Sequence, residues 1–140
     1  MGSDYLTSPF DDLLNPVDDH LIVHNELMSS LILGNRIRIH TSENGIPDLD
    51  SVKIALLGIP EERNSVDYLG DELNLNEIRK SFYNLYPGNW SSVISDLGNL
   101  ILGNNSEETY GRLISLLTIL FKKDIIPILI GGSQDLLYAI

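Results

Sequence analysis

The sequence predicts a three-layer α/β fold in which a mainly parallel sheet carries helices on both faces. Two stretches, residues 52–60 and 125–130, are apolar almost without interruption, which is typical of strands buried on both faces of a parallel sheet. Between them, residues 75–85 and 106–123 show apolar residues at helical spacing. The first helix is predicted to be capped by Asn74, and the second to be capped by Ser106. The predicted packing stripes are Leu75, Ile78, Phe82 and Leu85 in the first helix, and Leu113, Leu116, Leu117 and Leu120, widened by Ile114 and Phe121, in the second. Strands that alternate with helices predict βαβ crossovers, and therefore a parallel sheet.

The composition is that of an acidic globular protein. Of the 140 residues, 43% are hydrophobic and 21% are charged, too apolar a balance for a disordered tail. The net charge of -11 argues against nucleic acid or an anionic membrane surface as the main partner. The sequence has no cysteine, no apolar run of membrane-spanning length and no signal-peptide pattern. We therefore expect a cytoplasmic protein.

The sequence divides into two parts. Residues 1–51 predict an N-terminal segment of one or two short amphipathic helices and an edge strand at 36–40. Residues 52–140 predict the first part of an α/β domain, incomplete because the sequence stops soon after a helix begins at Ser133. An open half-sheet leaves strand edges and apolar faces uncovered, so we expect self-association into a homo-oligomer.

Two histidines in the first part are candidate metal ligands. His20 and His24 lie one helical turn apart, and such a pair can clip a metal ion. No third ligand is close in sequence, so a solvated or capping role is favoured over a metal site. No binding role is assigned to His40.

The turns that follow the two apolar strands are the most informative positions for function. Gly58-Ile-Pro60 ends the first strand, and Gly131-Gly132 ends the second. Open α/β sheets bind ligands beyond the carboxyl ends of their strands, so both turns should face one crevice. Glu61, Arg63 and Asn64 could then contact a polar substrate, although a charged loop of this kind is more often simply solvated.

One of these turns carries a family resemblance. Pro127-Ile-Leu-Ile-Gly-Gly-Ser-Gln-Asp135 resembles the first signature of the ureohydrolase family (arginase, agmatinase, formimidoylglutamase), in which a buried strand runs into Gly-Gly-Asp-His-Ser. Three more family motifs have counterparts in the same order, namely Gly58-Ile-Pro60, Ile78-Arg79 and Asp96-Leu-Gly98. Each motif is weak alone, and their order over residues 52–140 carries the resemblance. From the residues alone, Asp96 is either an orienting carboxylate or, more simply, a turn former.

The resemblance implies an arginase/deacetylase-like architecture and hydrolysis of a non-peptide C–N bond in a small guanidino or formimino compound. It also implies a two-manganese centre whose bridging hydroxide attacks the substrate carbon. Here Gln134 stands in place of the family's ligand histidine, and an amide oxygen is a weak ligand for a transition metal. Asp135 could partly substitute for it. The resemblance therefore implies manganese in a longer parent protein, with at least one metal site weakened or absent, and none in this chain.

Two classes of function stay open. The chain is the N-terminal part of a ureohydrolase-like hydrolase, inactive by itself because the family's later ligand motif Asp-x-His-x-Asp is not in the sequence. Alternatively, it is a metal-free, degenerate relative that serves as a binding or assembly module, and Gln134 favours this reading. Dinucleotide and phosphate-loop binding are excluded because neither Gly-x-Gly-x-x-Gly nor Gly-Lys-Ser/Thr occurs.

Overall fold

The computed structural model describes residues 10–60 and 75–131, and these residues form a mixed α/β fold. In chain order the strands and helices are β1 (Leu14–Asn15), α1 (Asp19–Leu27), β2 (Arg38–Ile39), β3 (Val52–Ile59), α2 (Leu75–Tyr83), β4 (Val93–Leu100), α3 (Ser106–Lys122) and β5 (Ile126–Gly131). A short 3₁₀ turn, Leu33–Asn35, precedes β2.

A single five-stranded sheet connects these elements. Strands β1, β4, β3 and β5 follow one another across the sheet, and β2 also pairs with β4. All of the pairings are parallel except that of β1 with β4. The prediction of a mainly parallel sheet is therefore confirmed. Within the described residues, β3 is central and β5 has no strand beyond it.

β3 is central because both of its faces are apolar. Ala55, Leu57 and Ile59 point to one face, where they join the main core, whereas Leu56 and Gly58 point to the other. The main core packs the first face of the sheet against α3, and it includes the buried residues Ala55, Leu57, Ile59, Leu97, Leu113, Leu116, Leu117 and Leu120.

Helix α3 presents the predicted leucine stripe to this core. The stripe is buried along its length, at Leu113, Leu116, Leu117 and Leu120. Ile114 and Phe121, which we expected to widen it, are 47% and 52% exposed because they lie on the flank of the helix. The predicted cap, Ser106, is also displaced by one residue. Asn105 caps the helix, and its side-chain oxygen accepts from the Glu108 N–H at 2.9 Å.

Helix α2 packs with a different face from the one its apolar spacing predicts. The predicted stripe was Leu75, Ile78, Phe82 and Leu85, whereas the buried residues are Leu75, Arg79 and Tyr83. Ile78 and Leu85 are 41% and 56% exposed. The helix is rotated in this way because Arg79 finds a complete set of buried acceptors on β4. Asn74, the predicted cap of this helix, lies outside the described residues.

The N-terminal part contributes to the same sheet. The predicted edge strand is confirmed as β2, although it is short and parallel to β4. Strand β1 was not predicted from the sequence. Helix α1 begins after Asp18, whose carboxylate accepts from the His20 N–H at 2.8 Å. His40 is buried, and its Nδ1 lies 2.8 Å from the carbonyl oxygen of Leu97, which ties the end of β2 to β4.

Strand β5 forms where the sequence predicts, but the prediction that both of its faces are buried is wrong. Leu129 packs against the main core, whereas Ile126 and Ile128 are 63% and 46% exposed. These two isoleucines lie opposite Ile54 and Leu56 of β3, and so they share the face on which α2 lies. Helix α2 stands over β3 and β4, and therefore leaves this part of β5 uncovered.

A side chain at Gly58 should destabilise the fold. A Cβ at this position would lie 2.1 Å from Asn99 Oδ1 and 3.0 Å from Arg79 Nη2, both of which are held by hydrogen bonds. We expect Gly58→Ala to lower the free energy of unfolding by about 1–3 kcal/mol, measured by urea denaturation.

Gly111→Ala is the matched control for this experiment. A Cβ at Gly111 meets nothing within 4 Å, and the residue is exposed in α3. Alanine favours a helix over glycine by about 1 kcal/mol, so the control should raise stability. Equal losses in the two variants would contradict the proposed clash.

Candidate functional site

Strands β3 and β5 end side by side at one edge of the sheet. Ile59 pairs with Gly131, so the carboxyl ends of the two strands coincide, as the sequence analysis expects. Gly131 has a φ of 83°, a left-handed conformation that glycine adopts without strain. The candidate side chains that follow the two strands, Glu61, Arg63, Asn64, Gln134 and Asp135, lie outside the described residues.

A buried ion pair lies next to this edge and joins α2 to β4. The Arg79 and Asp96 side chains are 1% and 0% exposed. Arg79 Nε donates to Asp96 Oδ2 at 2.8 Å, and Arg79 Nη2 donates to Asp96 Oδ1 at 3.0 Å. This bidentate geometry is the strongest form of the arginine–carboxylate contact.

Further hydrogen bonds complete the coordination of the guanidinium. Arg79 Nη2 also donates to the Gly98 carbonyl oxygen at 2.8 Å, and Nη1 donates to Asn99 Oδ1 at 2.6 Å. Asn99 is only partly buried and pairs with Gly58 near the end of β3. The Arg79 side chain therefore reaches from α2 to the carboxyl-terminal part of β4, beside the end of β3.

Asp96 is equally well satisfied. Besides Arg79, its Oδ2 accepts from the Tyr83 hydroxyl at 2.5 Å and its Oδ1 accepts from the Gly98 N–H at 3.0 Å. Burial, followed by the adjacent Asp96 carboxylate, raises the pKa of the Tyr83 hydroxyl well above its ordinary value. Tyr83 is therefore a neutral donor to this carboxylate.

The local sequence explains how these groups meet. Arg79 and Tyr83 are four residues apart, so they project from the same side of α2. Asp96 lies inside β4, where its Oδ1 also accepts from the Gly98 N–H two residues on, the local contact typical of a turn-forming aspartate. Its carboxylate also holds Arg79 and Tyr83 in place. We call Arg79, Tyr83, Asp96 and Asn99 the arginine cluster.

The arginine cluster can organise structure but offers little chemistry. Its two charges neutralise each other, and the carboxylate and hydroxyl are buried. Sequence analysis missed Tyr83, although an arginine and a tyrosine at helical spacing beside an otherwise apolar stripe is a signal that could have identified the buried face. The arginine cluster therefore supports the sheet edge and offers no free charge to a ligand.

A second concavity lies between α1 and α2. A cavity of about 280 Å³ is lined by His20, Leu21, His24, Asn76, Glu77 and Lys80. His20 Nδ1 lies 3.3 Å from Asp18 Oδ1, and His24 Nε2 lies 3.1 Å from Asn84 Oδ1. In residues 10–60 and 75–131, no three His, Cys, Asp or Glu residues come together in a way that could hold a metal ion. The two histidines therefore contact Asp18, which precedes α1, and Asn84, which follows α2.

Comparisons with protein-family models, with curated proteins and with solved structures found no match for this chain. The helices of the described part are too short or too polar to cross a membrane.

Replacing Arg79 by lysine should destabilise the fold although the charge is kept. A lysine ammonium cannot reproduce the bidentate contact with Asp96 while also reaching Gly98 and Asn99. We expect Arg79→Lys to lower the free energy of unfolding by about 1–3 kcal/mol, because buried acceptors lose their hydrogen bonds although Asp96 keeps a cationic partner.

Arg112→Lys is the matched control for Arg79→Lys, because it makes the same arginine-to-lysine change outside the arginine cluster. Arg112 Nη2 is 4.0 Å from Glu108 Oε1 in a partly exposed pair on α3. Its replacement should change stability by less than about 0.5 kcal/mol in chemical denaturation. A small effect at both positions would show that the arginine cluster does not hold α2.

Tyr83 should make the fold sensitive to alkaline pH. Its pKa is raised in the folded state above the ordinary tyrosine value of 10.0, so above that pH the unfolded chain loses a proton that the folded chain retains. The stabilising contribution is therefore complete below about pH 10 and declines as the pH rises further. Above pH 10, the free energy of unfolding of Tyr83→Phe should therefore fall less steeply with rising pH than that of the unmodified chain. Urea denaturation at several pH values measures this difference. Tyr86→Phe is the control. Because Tyr86 is 64% exposed, its replacement should leave the pH dependence of the unfolding free energy unchanged.

Proposed function

We propose that the chain is the N-terminal part of a ureohydrolase-like hydrolase that acts on a non-peptide C–N bond of a guanidino or formimino compound. Its sheet would be the first part of a three-layer α/β/α architecture resembling the arginase/deacetylase fold. The observation that carries the proposal is the contact between two motifs selected by the resemblance. Arg79 of Ile78-Arg79 and Asp96 of Asp96-Leu-Gly98 form one bidentate ion pair. The pair brings these two motifs together in one structural unit.

The positions of the other two motifs also support the proposal. Gly58-Ile-Pro60 and the Gly131 turn lie at the same edge of the sheet, because Ile59 pairs with Gly131. Ligands of open α/β sheets bind at this edge. We propose that the substrate approaches here, where Glu61, Arg63 and Asn64 are the candidate contacts from the turn after β3.

The donor set of this chain does not fit a two-manganese centre. The described residues hold no group of three metal-ligating side chains, and the position of the family histidine is Gln134. Gln134 and Asp135 together would offer a metal ion an amide oxygen and a carboxylate but no imidazole, and this set of ligands suits a transition metal poorly. We therefore assign no catalytic step to this chain and propose that it is inactive by itself, with manganese bound only in a longer parent protein.

The second candidate is a metal-free relative that serves as a binding or assembly module. Gln134 favours this candidate because it removes the expected ligand. The exposed isoleucines of β5 favour it as well, because they offer an apolar surface to another molecule. A homo-oligomer in the cytoplasm is compatible with both candidates.

Manganese binding separates the two candidates. The chain is titrated with manganese, and the free ion is followed by electron paramagnetic resonance, beside Gln134→His and the control Asn89→His, which adds a histidine at an exposed position elsewhere. If position 134 belongs to a ureohydrolase-like site, Gln134→His should raise manganese affinity at least about tenfold. The unmodified chain and the control should bind less than one ion.

Other outcomes would change the assignment. Equal manganese affinity in the two histidine variants would remove the ureohydrolase-like site and favour the module. Two ions in the unmodified chain, or release of urea or formamide from arginine, agmatine or N-formimidoylglutamate, would overturn the proposed inactivity.

A further inference from the structure

An asparagine followed directly by a glycine lies at the surface between β2 and β3. Asn44-Gly45 is the only Asn-Gly pair in the sequence, and Asn44 is exposed. In such a pair the backbone nitrogen of the glycine can attack the side-chain amide carbon of the asparagine, because glycine has no Cβ to obstruct the approach. A Cβ at Gly45 would meet nothing within 4 Å, so the surroundings of the glycine are open as well.

Thr41 holds this pair in a five-residue turn. Its carbonyl oxygen accepts from the Gly45 N–H at 2.8 Å, and its Oγ1 accepts from the Asn44 N–H at 3.0 Å. Gly45 has a φ of 74°, the left-handed conformation that ends a single helical turn. Two hydrogen bonds to one residue therefore close the turn around Asn44.

The same two hydrogen bonds oppose the reaction. While the Gly45 N–H donates to Thr41, the peptide bond after Asn44 is fixed in the turn. The glycine nitrogen must leave this hydrogen bond before it can attack the asparagine side chain. Hydrogen bonds of a surface turn open readily, so Thr41 slows the attack but does not prevent it.

We propose that Asn44 is a site of spontaneous covalent modification, at which asparagine converts to isoaspartate and aspartate at a rate that Thr41 restrains. All of the reacting atoms belong to this turn. The proposal therefore goes beyond the proposed function and does not depend on it.

The conversion needs water and no other reactant. The Gly45 nitrogen gives up its proton and bonds to Cγ of Asn44, which closes a succinimide ring. The bond from Cγ to the side-chain nitrogen breaks, and that nitrogen takes up one proton and leaves as ammonia. One water molecule then opens the ring. Opening at Cγ gives aspartate, whereas opening at the backbone carbonyl carbon of residue 44 gives isoaspartate.

Both products change the connection between β2 and β3. Each adds a negative charge beside Glu43 to a chain whose net charge is already -11. Isoaspartate also lengthens the backbone by one carbon atom within the turn that Thr41 closes. The connection is attached to the sheet, because Arg38 of β2 donates to two of its carbonyl oxygens at 2.8 Å each. The modification therefore acts on a segment that is tied to β2.

The test follows the folded, unmodified chain during incubation at physiological temperature and at two pH values. Trypsin releases residues 39–53, in which Asn44 is the only asparagine, and chromatography with mass spectrometry separates the three forms of this peptide. Asn89, which is exposed but precedes Trp90, is the internal control. Asn44 should be lost at least about tenfold faster than Asn89, since only Asn44 precedes a residue without a Cβ. Isoaspartate should appear, and the loss should be faster at the higher pH because base removes the Gly45 proton.

Two variants measure the restraint by Thr41. Thr41→Val keeps the branched shape but removes the Oγ1 acceptor, so it should speed the loss of Asn44 about two- to tenfold, as expected when opening breaks one hydrogen bond fewer. Thr41→Ser keeps the hydroxyl and is the matched control, which should react at the rate of the unmodified chain. Circular dichroism should show that all three proteins are folded, since the turn lies at the surface.

Several results would overturn the proposal. Loss of Asn44 no faster than that of Asn89, or a product without isoaspartate, would exclude the succinimide route. An unchanged rate in Thr41→Val, or equal acceleration in Thr41→Val and Thr41→Ser, would show that the Thr41 hydroxyl does not restrain the turn. The manganese titration has no bearing on any of these readouts.

Discussion

The buried ion pair between Arg79 and Asp96 is the constraint on which the α2 side of the sheet depends. Removing two charges from water costs several kcal/mol per ion, and only a complete set of partners offsets that cost. Gly98, Asn99 and Tyr83 supply the remaining partners. The rotation of α2 about its own axis is therefore set by one polar contact and not by its apolar stripe.

This constraint explains which parts of the fold the sequence could predict. The buried faces of β3 and α3 follow from local apolar patterns, and both were predicted correctly. The buried face of α2 was not, because apolar periodicity treats Arg79 as a solvent-facing residue. Strand β1 consists of Leu14 and Asn15 alone, too short for any periodic signal, and it exists only through its pairing with β4. Exposure of Ile126 was also missed, since composition cannot reveal which neighbours are present.

The candidate site was predictable to a similar extent. The meeting of two strand ends follows from parallel pairing, and Ile59 does lie opposite Gly131. The role of Asp96 was harder to predict, because Asp-Leu-Gly is common in turns and its partner Arg79 lies on another element. Sequence distance conceals such pairs unless a family resemblance suggests that both residues belong to one unit.

Because the hydrogen-bonding groups of the arginine cluster are already paired with one another, the cluster supports the sheet edge while any chemistry is left to other residues. The arginine cluster fills the space that a side chain at Gly58 would need, and Asn99 reaches β3 from β4. Ile59 follows Gly58 directly, so the point at which the chain leaves β3 beside Gly131 is fixed by the same contacts. Because the buried charges are already neutralised, changes of ligand residues beyond the strand ends need not disturb this support. Under the proposed relationship to the ureohydrolases, this support would be the same with histidine or glutamine at position 134, so a binding module is compatible with the same sheet edge.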